Sequence, residues 1–197
     1  MSAGPFPSEA AAIVFAVVFI AWMLSEVIGA GILPAMRRGF ARLPHRHPGS
    51  NILIMIDWIV LFLACTIFAQ RSIALLPEWS FYVGIALMVL GIIVRQWAIV
   101  VLGKWFSGSI AIQEGHQVVD VGPYRLVRHP SYTGALMIQI GIGLAFASWG
   151  AVLVIIVSFA IAYGQRMLIE EKELREQLGK RYADYMRRTK RLVPFLV

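Results

Sequence analysis

Three apolar runs, each long enough to cross a lipid bilayer, dominate the first half of the chain: Ala10–Leu33, Ile52–Gln70 and Ser80–Leu102. A hydrocarbon core of about 30 Å takes roughly 20 helical residues to span. In lipid the backbone polar groups find no water, so the runs are predicted to be helices. Two shorter runs, Ser131–Ala147 and Trp149–Tyr163, are separated only by Ser148 and read as a tight helical hairpin. The predicted fold is an all-α integral membrane domain of five spans covering residues 1–197. Composition agrees: 59% of the 197 residues are hydrophobic and 15% charged, against roughly 45–50% and about 25% in soluble domains. The first run lacks a basic flank before it and exceeds the apolar core of about 7–15 residues of a cleaved signal peptide, so it is kept as a span.

The loops orient these spans. Arg37, Arg38, Arg42 and Arg46 follow the first run; Lys104, Arg125 and Arg128 follow the third; and nine Lys and Arg lie between Arg166 and Arg191. With five spans all three segments fall on one side, leaving only Arg71 opposite and Arg95 within a span. The positive-inside rule makes that side cytoplasmic and the N-terminus external. The net charge of +7 is then a membrane-face charge, suited to anionic lipid heads. Nucleic acid is excluded as a partner, because the basic residues are scattered through juxtamembrane loops and alternate with acids in the tail. The single cysteine, Cys65, permits no disulfide framework and reads as core. His45, His47, His116 and His129 have no Cys or carboxylate at ligand spacing, so no metal site is predicted. There is no dinucleotide fingerprint and no P-loop.

Glu26, Asp57, Arg95 and Gln139 lie inside apolar runs, roughly 8–10 Å from the basic end at 1.5 Å per residue. Such residues face a bundle interior, either as an ion pair of Arg95 with Glu26 or Asp57, or as the wall of a chamber. The 28-residue loop 103–130 is longer than a passive connection needs. It ends in Gly122-Pro123-Tyr124-Arg125-Leu126-Val127-Arg128-His129-Pro130-Ser131-Tyr132-Thr133-Gly134. Gly-Pro sets a turn, Pro130 pushes His129 out of the helical region, and Ser131 is placed as an N-cap. His129 would thus stand at a helix start, a seat for a carboxylate or other anion, or would simply cap a carbonyl. Arg166 and Glu170, four apart at the exit of the fifth run, share a helix face, with Glu171 beside them. The charged stretch 165–190 is predicted to be an amphipathic helix, either continuing from the fifth run or lying against the membrane face, interrupted at Gly179 and stopped before Pro194.

The motif Arg128-His129-Pro130-Ser131-Tyr132-Thr133-Gly134, the upstream Gln113, His116 and Tyr124, and the tail Arg166, Glu170-Glu171, Leu174, Gly179, Tyr182, Tyr185 and Pro194-Phe195 together resemble the isoprenylcysteine carboxyl methyltransferases, over about the last 95 residues. The chain is similar to a short, prokaryotic-type member. The resemblance implies S-adenosylmethionine as methyl donor, in a cytoplasmic pocket built from residues 103–134 and 165–197. It implies that Gln113, His116, Gln117, Val118, Val119, Tyr124, Leu126, His129, Pro130, Ser131 and Tyr132 line that pocket. It further implies that Arg166 meets a substrate carboxylate and that Glu170 positions the cofactor or Arg166. The implied acceptor is the carboxylate of a lipid-modified small molecule or protein C-terminus, delivered through membrane lipids without an obligate protein partner. Two alternatives remain at this level: a phospholipid amine N-methyltransferase, in whose family a similar His-Pro-Tyr and paired-glutamate arrangement occurs, and a non-enzymatic membrane module or small transporter.

Overall fold

The computed structural model describes residues 6–37, 39, 48–71, 74–108 and 115–193. Gln113, Pro194 and Phe195, and the loop residues Arg38, Arg42, His45, Arg46 and His47, lie outside the described residues. The described chain is helical. Helix α1 (Glu9–Ser25) is capped by the Ser8 hydroxyl, which accepts from the Ala11 amide at 3.1 Å. It runs on through a π-helical stretch, Glu26–Ile32, into α2 (Leu33–Arg37). Then follow α3 (Pro48–Arg71), α4 (Trp79–Leu102), α5 (Pro130–Ala145), α6 (Trp149–Leu178) and α7 (Lys180–Arg188). Short 3₁₀ turns, Gly103–Trp105 and Gly122–Arg125, bracket the long loop.

Four stretches are long and apolar enough to cross a membrane: Glu9–Arg37, Gly49–Arg71, Trp79–Trp105 and Trp149–Leu178. The shorter fourth run forms α5, which has 16 residues, about 24 Å at 1.5 Å per residue. Its neighbours explain how so short a helix is accommodated. One face of α5 is sealed against α4 by four glycines. A Cβ on Gly84 would lie 2.5 Å from the Gly141 carbonyl oxygen, and one on Gly141 would lie 2.6 Å from that of Gly84. One turn-pair away, a Cβ on Gly91 would lie 2.8 Å from the Gly134 oxygen, and one on Gly134 would lie 2.6 Å from Arg95 Cβ. Small residues of this kind let membrane helices meet backbone to backbone. Elsewhere Ile138 and Ile142 of α5 sit in a core with Trp22, Leu61, Cys65, Met88 and Ile155.

The α5–α6 hairpin is real but wider than one residue. Phe146, Ala147 (φ +52°) and Ser148 turn the chain, and the Ser148 hydroxyl caps α6 by accepting from Ala151 N at 3.3 Å. The connection before α4 buttresses this turn, with Leu76 N donating to Ala147 O and Trp149 N to Ala74 O. The fifth apolar run and the charged tail prove to be one 30-residue helix, α6, so Arg166 and Glu170 stand on an uninterrupted rod. Gly179 ends it at φ +56°, and α7 turns back from there.

The intramembrane charges resolve into two networks. Arg95 pairs bidentately with Glu26, Nε to Oε1 at 2.5 Å and Nη2 to Oε2 at 2.7 Å. Asp57 is fully buried and accepts from Gln139 Nε2 at 2.7 Å and Ser158 Oγ at 2.6 Å, tying α3 to α5 and α6. The π stretch begins at Glu26. At Gly29 it runs so close to α4 that a Cβ there would strike Gln96 Oε1 at 1.8 Å.

Candidate active site

The end of the bundle that carries the long loop is held together by the tail. Arg128 N donates to Lys190 O at 2.7 Å and His129 N to Arg191 O at 3.0 Å. Thr133 Oγ1 donates to Leu192 O at 2.7 Å, and the Tyr185 hydroxyl donates to Tyr124 O at 2.7 Å. At the centre of this clasp lies Glu171, 3% exposed. It accepts from Arg128 Nε at 2.8 Å and Arg191 Nη2 at 3.0 Å, and lies 3.2 Å from His129 Nε2. Arg128 also caps the end of α7 through the Met186 and Thr189 carbonyls. The carboxylate anticipated at the start of α5 is thus one of the chain's own. Ser131 is not the N-cap. The helix begins at Pro130 with His129 at the capping position, and the Ser131 hydroxyl and carbonyl accept from Arg95 Nη1 instead.

Beside the clasp a cavity of about 600 Å³ opens into the bundle, a size typical of small-molecule sites. Its polar end is walled by the loop (His116, Gln117, Val118, Val119 and Tyr124), by the start of α5 (His129, Ser131 and Tyr132) and by Glu170, Leu174 and Leu178 on α6. Its other end runs between α1 and α3 and is aromatic: Phe19, Trp22, Trp58 and Phe62, with Trp22 and Trp58 stacked at 4.8 Å. Two of the expected residues do not line it. Leu126 is 54% exposed, and Pro130 is buried in the first turn of α5.

Within the polar end, His116 stacks on Trp105 with centroids 4.8 Å apart. Its Nδ1 is buried without a hydrogen-bond partner, an open position for a ligand group. Burial holds the imidazole below its ordinary range, and the Glu170 carboxylate offsets this in part. Tyr124 and Tyr185 are pushed above the ordinary phenol range, first by burial, so both remain hydroxyl donors at neutral pH.

Arg166 also lines the cavity. It is 3% exposed. Its Nε donates to the Tyr132 hydroxyl at 2.8 Å, Nη1 to Asn51 Oδ1 at 2.7 Å and Ser50 Oγ at 3.4 Å, and Nη2 to Gly108 O at 2.6 Å. The Tyr132 hydroxyl in turn donates to Glu170 Oε2 at 2.7 Å. Arg166 and Glu170 therefore communicate through Tyr132 and not as the direct i, i+4 pair their spacing suggests. Among the described residues, every hydrogen-bond acceptor on this guanidinium is neutral. A buried cation without a carboxylate in contact is costly, so the arrangement is suited to receive an anion. The sequence reading missed Ser50, Asn51 and the aromatic arm. The one signal for the first two was a polar pair placed directly before the second apolar run.

Comparison with known proteins agrees with this architecture. Residues 83–176 match the model of the isoprenylcysteine carboxyl methyltransferase family. The chain is 30% identical over 158 residues to protein-S-isoprenylcysteine O-methyltransferase A of Arabidopsis thaliana, covering 75% of this chain and 78% of that protein. It is 31% identical to isoform B of the same plant over 60% of this chain and 61% of that protein. The chain thus spans less than two thirds of the length of some of the curated relatives it matches. The solved structure of the eukaryotic intramembrane Ras methyltransferase superposes with a TM-score of 0.62 at 24% identity, over 93% of this chain and 64% of that one. With a shared fold, a matching family model and a plant relative aligned over most of both chains, this multi-pass membrane protein belongs to the isoprenylcysteine carboxyl methyltransferase family.

Proposed function

We propose that this chain is an S-adenosylmethionine-dependent methyltransferase that acts on the carboxylate of a lipid-modified, prenylcysteine-like substrate at the cytoplasmic face of a membrane. One observation carries the reading: a single cavity is lined by polar side chains, by an aromatic group from α1 and α3, and by a buried arginine that among the described residues has no carboxylate in contact. The residues present fit the cofactor. The open His116 Nδ1, the Glu170 carboxylate and the apolar Val118 and Val119 offer partners for the polar and ring portions of a nucleoside-amino acid. When bound, the cofactor supplies an electrophilic methyl group.

The chain's own part is positioning. A carboxylate is already ionised at neutral pH, so no general base is required. Arg166 orients the carboxylate, and Tyr132 ties that guanidinium to Glu170, fixing the relative placement of the two ends of the cavity. Excluding water and holding reactants in line can supply roughly 7–11 kcal/mol of a barrier. The aromatic arm between α1 and α3 takes the apolar tail. The concentration of Lys and Arg at this end favours a cytoplasmic site with the N-terminus outside. A phospholipid amine suits the site less well, because it must shed a proton before it can accept a methyl group and Arg166, a cation, cannot take that proton.

The test is a methylation assay with labelled cofactor on the purified protein, comparing a farnesyl-cysteine analogue with phosphatidylethanolamine. Transfer to the first and not the second is expected. Arg166→Ala and Glu170→Ala are expected to insert and fold yet lose transfer. Full activity in either would overturn the assigned roles, and transfer only to the phospholipid would overturn the substrate class. Calorimetric titration with S-adenosylhomocysteine separates both from a non-enzymatic module, which would show no binding.

A further inference from the structure

The described arginines that lie in or beside the cavity fall into two kinds. Arg95 is matched by Glu26, and Arg128 and Arg191 by Glu171, each through direct contacts of 3.0 Å or less. Arg166 is more deeply buried than any of them. Yet it is held only by a phenol, an amide, a hydroxyl and a backbone carbonyl. Of these, the Asn51 amide is the short contact to Nη1. It comes from the first turn of α3, outside the residues 83–176 matched by the family model. Aspartate would fill nearly the same space and make the same hydrogen bond. It would also place a negative charge on the guanidinium and cancel the field that an incoming anion sees.

We infer that Asn51, with Ser50 beside it, is a specificity-determining positioning residue. Its amide fixes the Arg166 guanidinium in place without bringing a carboxylate into contact with it, Glu170 lying behind the Tyr132 hydroxyl, and so selects an anionic acceptor group over a neutral one. From the function proposed above it takes only the anionic character of the acceptor.

The experiment reads binding separately from catalysis. N-acetyl-S-farnesylcysteine, as the free acid and as the methyl ester, is titrated against the purified full chain in lipid nanodiscs. Wild type is expected to bind the acid at least about tenfold tighter than the ester, a difference of about 1.4 kcal/mol. Asn51→Asp is expected to bring that ratio below about twofold. Asn51→Ala, which removes the acceptor but adds no charge, is expected to keep the acid preference. S-adenosylhomocysteine affinity should be unchanged in both. Should Asn51→Asp not fold, Ser50→Asp brings the same charge to the same nitrogen and is read in the same way. Three outcomes would overturn the inference: no acid preference in wild type, an unchanged preference in the aspartate variant, or equal loss in the aspartate and alanine variants, which is what a purely structural role predicts. A wild type that prefers the acid but transfers no methyl group would leave the inference standing and defeat the proposed reaction instead.

Discussion

Glu170 and Glu171 are adjacent in the chain and do opposite work. Glu171 faces away from the cavity and gathers Arg128, His129 and Arg191 into the clasp that binds the tail to the start of α5. Glu170 lines the cavity, and its described contact is the Tyr132 hydroxyl that leads to Arg166. A helix turns by about 100° per residue, which is enough to send one carboxylate into a structural knot and its neighbour into the site. In one region two cations share a buried carboxylate; in the other, among the described residues, a cation has only neutral groups in contact. The first arrangement fixes a conformation, whereas the second keeps an affinity for something that is not yet there.

The contrast can be broken in four places. Glu171→Ala strands two guanidinium groups, and removing one side of a buried pair costs about 3–5 kcal/mol. A large fall in thermal midpoint and faster amide exchange over residues 180–193 are expected; an unchanged midpoint would make the clasp ornamental. Glu170→Gln is expected to lower methyl transfer about 100-fold, about 2.7 kcal/mol of barrier, with the thermal midpoint nearly unmoved. A stability loss matching that of Glu171→Ala would erase the distinction between the two residues. Tyr132→Phe deletes the hydroxyl that joins Arg166 to Glu170, at about 1–2 kcal/mol for a buried polar link. Its effect should be subadditive with Glu170→Gln in a double-mutant cycle; strict additivity would show that the two do not act through one another. Thr133→Val removes only the strap to Leu192, and a loss of about 1 kcal/mol in the unfolding equilibrium, without loss of cofactor-analogue binding, is expected.

Much of this was legible in residue order, for reasons that differ from element to element. The limits of α3 and α4 were readable because lipid permits few alternatives to an apolar helix. The Arg95–Glu26 pair was among the stated options, since an intramembrane charge needs a partner. The short α5 was legible as one arm of a hairpin, but hydropathy is blind to the glycine seam that lets it shelter behind α4. That the charged stretch continues the fifth run was one of the two stated options. Helix α6 crosses from apolar to charged surroundings without a break, and composition changes there while backbone geometry does not. Within the site, Arg166 and Glu170 were found together by their spacing, but the phenol between them comes from 34 residues earlier. Asn51 comes from 115 residues earlier. Leu126, expected on the wall, is instead at the surface, because the 3₁₀ turn at Gly122–Arg125 spends the buried positions on Pro123 and Tyr124.

The seam between α4 and α5 also works as a datum. Because Gly84, Gly91, Gly134 and Gly141 interlock carbonyl against Cα, neither helix can slide by a turn without driving backbone into backbone. A slip of one turn is about 5.4 Å, more than the reach of the hydrogen bonds at Tyr132 and Arg95. The depth at which the Tyr132 and Arg95 side chains stand is therefore indexed by four hydrogen atoms standing where side chains would otherwise be.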